Sequence, residues 1–220
     1  MRFQGFGKGL PDFLFSLQFN NSQAALEENK ARYRALLYEP MTRLYEDLTL
    51  AAMDVDPTLD TRKARCVAPM LRDMRYCHDS PMKDYGMLHF RVPGREDNQL
   101  SVFFWVDAES YGYGLYIFKP TTEGMATLRQ GALRQAAAFQ KAIKKLPEDY
   151  QVSGSMYKRD HYPQVASPLK DMLNIRLHLG VWRMRPLSDV LYSPDLVEEV
   201  TEGFRTLAPM YHLLYQALYT

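Results

Sequence analysis

Hydrophobic residues along this chain recur at two spacings, one typical of helices and the other typical of strands. Near the start, residues 10–19 have the pattern of a short helix with Pro11 in its first turn. From residue 22 to about residue 53 the spacing is helical again, through Leu26, Tyr33, Leu37, Met41, Leu44 and Leu48. Pro40 either kinks one long helix or begins a second one, and the pattern allows both.

Three segments in the middle of the chain have the composition of strands, at residues 85–92, 100–106 and 114–119. The links between them are rich in turn residues and short enough for hairpins, which predicts an antiparallel meander. The strands carry many aromatic residues, namely Phe103, Phe104, Trp105, Tyr113, Tyr116 and Phe118. Such side chains are typical of a sheet with one face packed against helices.

The second half of the chain continues the mixture of helix and strand. Its patterns predict a long amphipathic helix at residues 122–146, followed by a short strand at 151–158. A helix start at 167, a half-buried strand at 175–181 and a last helix from 193 onward come next. Pro209 kinks or restarts the last helix. Residues 1–220 are therefore predicted to form a single α+β domain, an antiparallel sheet packed against several α-helices.

Length and composition narrow the class of protein. The chain has 220 residues, of which 24% are charged and 46% hydrophobic, as in an ordinary soluble domain. No apolar run is long enough to span a membrane, and the start is too polar for a secretory signal, so we expect a cytoplasmic protein without a membrane partner. Cys66 and Cys77 are expected to be free thiols. No spacing matches a metal template, and no metal or cofactor is predicted.

Positive charge is concentrated in residues 62–83. This segment contains two carboxylates, Asp73 and Asp79, and six cations, namely Arg62, Lys63, Arg65, Arg72, Arg75 and Lys83. Its net charge is +4 on a chain of +1. If residues 70–77 form a strand, Asp73 and Arg75 share one side of it; in a helix Asp73 would point away. The Asp-Ser-Pro that follows favours a strand that enters a turn.

This charged segment is the candidate site. Arg72, Arg75 and Lys83 are predicted to bind an anionic small molecule, a phosphate or carboxylate, with Asp73 and Asp79 orienting the guanidinium groups. In one alternative, the cluster only braces the fold of a structural or interaction module. In another, the protein is a hydrolase or transferase in which Asp73 or Asp79 is the catalytic base. The oligomeric state is left open.

A glycine-rich stretch at residues 112–118 imitates part of an RNA-recognition strand. However, Tyr111 replaces the leading cation, and Leu115 replaces the second stacking aromatic. We interpret the glycines as positions that relieve crowding where Tyr116 and Phe118 pack. Because the net charge is also nearly zero, we expect no nucleic-acid partner.

The charged segment also resembles a family signature. The run from Arg72 to Tyr76, followed by Asp79, Pro81 and Lys83, is similar to that of bacterial proteins grouped as domain of unknown function 2461. The likeness spans nearly the whole chain and includes Asn20-Asn21, Leu128-Arg129, Lys158-Arg159 and Leu169-Lys170. No activity is assigned to that family, so the resemblance implies none.

The chain departs from the family pattern at several signature positions. Pro69 stands where an Arg is expected, and Met82 stands where a Tyr is expected. A Lys expected after Asp79 is missing, so that Ser80 follows directly. If the signature is an active site, this chain has lost part of it.

Overall fold

The computed structural model describes residues 2–72 and 81–220. The first half is helical, with α1 (Leu10–Ser16), α2 (Gln23–Tyr33) and α3 (Glu39–Val55). The Ser22 hydroxyl caps α2 by accepting a hydrogen bond from the backbone N–H of Ala25, at 3.2 Å. A π-helical segment at Arg34–Tyr38 joins α2 to α3 without interruption. Pro40 therefore perturbs one continuous helical path, because it has no N–H with which to bond the preceding turn. A single turn, α4 (Lys63–Cys66), follows.

Among the described residues, five strands form one antiparallel sheet, which confirms the predicted α+β fold class. Their bounds are β1 (Gly86–Arg91), β2 (Gln99–Val106), β3 (Ser110–Phe118), β4 (Gln151–Met156) and β5 (Ile175–Pro186). The order across the sheet is β1-β2-β3-β5-β4, so the predicted meander is one half of the sheet. The prediction for β3 began four residues too late, because the glycines near its start were taken for turn residues. The prediction for β5 ended five residues too early.

The helices of the second half are α5 (Thr122–Arg134), α6 (Ala136–Lys144), α7 (Leu169–Leu173) and α8 (Asp195–Tyr219). The prediction of one helix over residues 122–146 was wrong, because Gln135 leaves helical geometry and separates α5 from α6. In contrast, Pro209 lies inside the single long helix α8. None of the helices in residues 2–72 and 81–220 is long and apolar enough to cross a bilayer.

The two faces of the sheet have different surroundings. Along β2 and β3, every second side chain is fully buried, and α8 packs against both strands on that side. The opposite side, which we call the open face, carries Met87, Phe103, Trp105, Tyr116, Phe118 and Trp182. The strand alternation that buries one set of residues under the helices therefore places a second aromatic set on the other side.

Candidate functional site

The predicted site is only partly described. Asp73, Arg75 and Asp79 lie outside the described residues. The catalytic roles proposed for Asp73 and Asp79 therefore stay predictions. Within the charged segment, residues 70–72 pair with residues 81–83 in an antiparallel manner. The Arg72 N–H donates to the Pro81 carbonyl at 2.8 Å, and the Lys83 N–H donates to the Met70 carbonyl at 2.9 Å. Residues 70–72 are thus paired as in a strand, and the rest of the predicted strand at residues 70–77 lies outside the described residues.

Arg72 is held by groups of its own chain. Its Nε donates to the Met82 carbonyl at 3.0 Å, and its Nη2 lies 2.5 Å from Asp84 Oδ1. Lys83 Nζ donates to the Pro69 carbonyl at 2.9 Å. Burial, followed by the charge of Arg72, lowers the pKa of Lys83. These contacts hold residues 69–72 against residues 82–84. They also occupy some of the hydrogen-bond donors of Arg72 and Lys83 on which the anion hypothesis depends.

Asn21, in the link between α1 and α2, binds the backbone of the same pair of chain segments. Its Nδ2 donates to the Met82 carbonyl at 2.9 Å, and its Oδ1 accepts from the Met82 N–H at 2.8 Å. Met82, which replaces the Tyr expected from the family pattern, is completely buried. The Asn pair of the resemblance and the signature are therefore in direct contact, although 61 positions separate Asn21 from Met82.

A second positive site lies at the outer edge of β1. Four arginines, Arg62, Arg65, Arg91 and Arg95, line one cavity of about 380 Å³, and we call it the arginine cleft. They come from α4 and the residue before it, the end of β1 and the turn that follows β1. An isolated bridge between Asp60 and Arg91 holds these parts together.

One arginine of the cleft is neutralised internally. Arg62 forms a two-pronged ion pair with Asp60, with Nε to Oδ1 at 2.9 Å and Nη2 to Oδ2 at 2.5 Å. This hydrogen bonding, partly opposed by burial, lowers the pKa of Asp60 to about 2. Glu96 is the other carboxylate among the described lining residues. The cleft therefore has a surplus of two positive charges.

Arg91 is the most buried of the four arginines of the cleft. Its guanidinium donates to two neutral acceptors, the Arg65 carbonyl at 3.0 Å and Gln99 Oε1 at 3.3 Å. Burial, and then the charge of Arg65, lowers its pKa, although an arginine stays protonated at neutral pH. Arg95 stacks on Tyr219, with its guanidinium carbon 4.0 Å from the ring centroid. A half-buried guanidinium beside a second cation favours an added anion.

The sequence indicated only part of this arrangement. The charge excess that begins at Arg62 includes two of the four arginines, but the predicted ligands Arg72 and Lys83 are not among the described residues that line the cleft. Arg75 lies outside the described residues. Arg91 and Arg95 were missed, because they lie beyond the charged segment and approach it only through pairing at the edge of β1. The one available signal was the alternation of β1, which places Arg91 on the open face with Met87 and His89.

Comparison with known proteins gives one family. No curated protein and no solved structure matches the chain. A family model described as a conserved hypothetical protein, DUF2461, matches residues 10–213. This range begins at the start of α1, ends within α8 and includes the whole sheet, the signature and the arginine cleft, and so the chain belongs to the DUF2461 family.

Proposed function

We propose that this protein binds an anionic small molecule, a phosphate or a carboxylate, and that the arginine cleft holds its charged group. The observation that carries the proposal is the convergence of four guanidinium groups on one cavity. One of them is half-buried, and its acceptors among the described residues are all neutral. Planar guanidinium groups match the oxygens of phosphate and carboxylate in pairs. An anion there would relieve the repulsion between Arg65 and Arg91.

For the signature, the contacts of Arg72 favour the bracing role. Its links to Met82 and Asp84 close the base of the segment, as expected of a side chain that stabilises a local fold. It stays a prediction that an anion binds to Arg72, Arg75 and Lys83, with Asp73 and Asp79 orienting them. The experiment below distinguishes binding at this place from binding in the arginine cleft.

Phosphate, sulfate and dicarboxylates can be titrated at constant ionic strength while thermal unfolding is followed. A ligand at ten times its Kd should add roughly 1.4 kcal/mol to the free energy of unfolding. For a chain of this size, that corresponds to a rise in Tm of about 3–6 °C. Arg65→Gln and Arg91→Gln should each reduce the shift, because each removes a charge-assisted hydrogen bond worth about 1.5–3 kcal/mol.

Arg205→Gln is the matched control. Arg205 is exposed on α8 and pairs with Glu202 one turn away, so its loss should leave the anion-induced shift unchanged. No shift with any anion at millimolar concentration would contradict the proposal. If Arg72→Gln abolishes the shift and Arg65→Gln keeps it, the anion belongs to the signature instead of the cleft.

A further inference from the structure

The open face holds the largest of the described cavities near the arginine cleft, with a volume of about 630 Å³. We call it the aromatic groove. Its lining residues come from the strands and from the turn after β3, and they include Phe103, Trp105, Tyr116, Phe118 and Trp182. This volume is typical of pockets for small organic molecules. Large rings arranged around such a groove favour a ligand with a flat apolar part.

Glycines in the floor let the rings of the groove lie flat. A Cβ on Gly180 would collide with the Trp182 indole, and a Cβ on Gly112 would collide with the sulfur of Met184. At Gly114, a Cβ would approach the Trp182 Cβ to 2.6 Å. The glycines thus relieve crowding, although Trp182 and Met184 of β5 are the side chains accommodated, and not those of β3 as expected. The indole consequently presents a broad surface along the sheet.

The aromatic groove and the arginine cleft meet at one pair of residues. The Arg91 guanidinium of the cleft lies 4.9 Å from the centroid of Phe118, which lines the groove. Gln99 of the cleft is the register partner of Phe118 and also accepts a hydrogen bond from Arg91. The arginine cleft and the aromatic groove are therefore adjacent at this point.

The sheet register gives the distance that a ligand must span. Arg91, Ser101, Tyr116 and Gly180 lie in one row across β1, β2, β3 and β5. Three strand spacings amount to roughly 14 Å between backbones. The Arg91 guanidinium shortens this distance, because it reaches Phe118 of β3, and the indole of Trp182 marks the far end of the row, because it lies over Gly180. A single small molecule can therefore reach from the guanidinium groups to the rings.

We infer that the ligand is an aromatic phosphate of the nucleoside monophosphate or aryl phosphate class, with its phosphate in the arginine cleft and its ring in the aromatic groove. This inference rests on the proposed function and adds the chemical class of the ligand. The positive charge lies at one end of the groove, as an anion attached to one end of a flat molecule requires. Near the other end, the Tyr116 hydroxyl and His178 Nδ1, 3.0 Å apart, offer polar contacts to a heterocyclic ring.

The chain contains two tryptophans, Trp105 and Trp182, and both line the groove, so intrinsic fluorescence reports on its occupancy. AMP, phenyl phosphate, adenosine and inorganic phosphate are titrated at constant ionic strength. AMP and phenyl phosphate should quench the fluorescence and bind roughly tenfold or more tightly than inorganic phosphate, because stacking adds to the affinity. Inorganic phosphate should bind without strong quenching.

Trp182→Leu should lower the affinity for AMP roughly tenfold and leave that for inorganic phosphate unchanged. Phe15→Leu, at a half-exposed aromatic on α1, is the matched control and should alter neither affinity. Arg65→Gln should weaken both ligands.

Equal affinities for AMP and inorganic phosphate, with no quenching, would overturn the inference and leave the proposed function intact. Failure of all four compounds to bind would overturn both. If adenosine binds as tightly as AMP, the phosphate adds nothing to the affinity, and the inference that one ligand occupies both the groove and the cleft is overturned. Fluorescence that depends on protein concentration and not on AMP would assign the groove to a second copy of the chain.

Discussion

At the scale of single residues, His89 links the cleft to the stability of the fold. Its ring lies on the open face, 5.8 Å from the Phe118 centroid. Burial, followed by the positive charge of Arg91, lowers the pKa of His89 to about 4. The imidazole is therefore neutral in the folded protein at neutral pH, which spares the cleft a further positive charge beside Arg91.

The pKa shift of His89 predicts a pH dependence with a definite sign. In the unfolded chain, histidine takes up a proton near pH 6.5, whereas in the folded chain it does so near pH 4. The contribution of neutral His89 to the free energy of unfolding is then fully present above pH 6.5 and is lost as the pH falls towards 4. His89→Gln should flatten this part of the stability curve, measured by urea unfolding at several pH values. His161→Gln, at an exposed position, should not, and parallel curves for wild type and His89→Gln would refute the assignment.

Single residues also show where sequence reasoning reached its limit. The excess of cations in residues 62–83 was visible from the sequence, and two of these cations, Arg62 and Arg65, line the arginine cleft. What the sequence could not show was the distribution of partners. Arg72 is bonded to Asp84, twelve positions away. In the described part of the chain Arg91 has neutral acceptors alone, because chain pairing brings it to the Arg65 carbonyl.

At the scale of elements, helices and strands with a regular apolar spacing were predicted well, whereas the break at Gln135 was not. The residues around it, Arg134 and Ala136, favour helix, so the local sequence contains no stop signal. The break separates α6 from the axis of α5, and α6 packs against α7 and α8. Contacts between elements that are distant in sequence determine such a break, and periodicity within one segment does not report them.

The contact of α5 with α8 depends on Gly131. A Cβ at this position would lie 2.5 Å from the Cα of Ala217 and 2.6 Å from its carbonyl oxygen. Gly131→Ala gains about 1 kcal/mol of helix propensity, but overpacking against a backbone costs about 1–3 kcal/mol. We expect a net loss in the free energy of unfolding, measured by urea denaturation. Gln130→Ala, on the exposed side, should stay within about 0.5 kcal/mol of wild type. A more stable Gly131→Ala protein would contradict this packing.

At the scale of the whole molecule, one buried hydrogen bond joins the two ends of the helical layer. The Tyr211 hydroxyl on α8 donates to Asp56 Oδ2 after α3 at 2.6 Å, across 155 positions. Burial alone raises the pKa of Asp56, but hydrogen bonds from Tyr211 and Thr58 lower it overall. The carboxylate is thus held in its charged form and relies on these donors.

Removal of this link should destabilise the entire domain. Tyr211→Phe deletes one donor to a buried carboxylate, and we expect the free energy of unfolding to fall by about 1–3 kcal/mol. Thermal unfolding should show a decrease in Tm of about 2–4 °C per kcal/mol. Tyr215→Phe, one turn further along α8, is the control, because its hydroxyl has no hydrogen bond among the described residues. Equal melting temperatures for both variants would show that the link adds nothing.

The strand order has a consequence for synthesis on the ribosome. β3 is complete at Phe118, but its neighbour β5 begins only at Ile175, after α5, α6, β4 and α7. At about 5–20 residues per second, several seconds of translation separate the two strands. During that interval, the edge of β3 that will pair with β5 is unpaired, and β3 carries three tyrosines and a phenylalanine. Such an edge is a template for pairing with other chains. Slow codons between these strands would prolong the hazard, so yield should respond to translation speed as well as to stability.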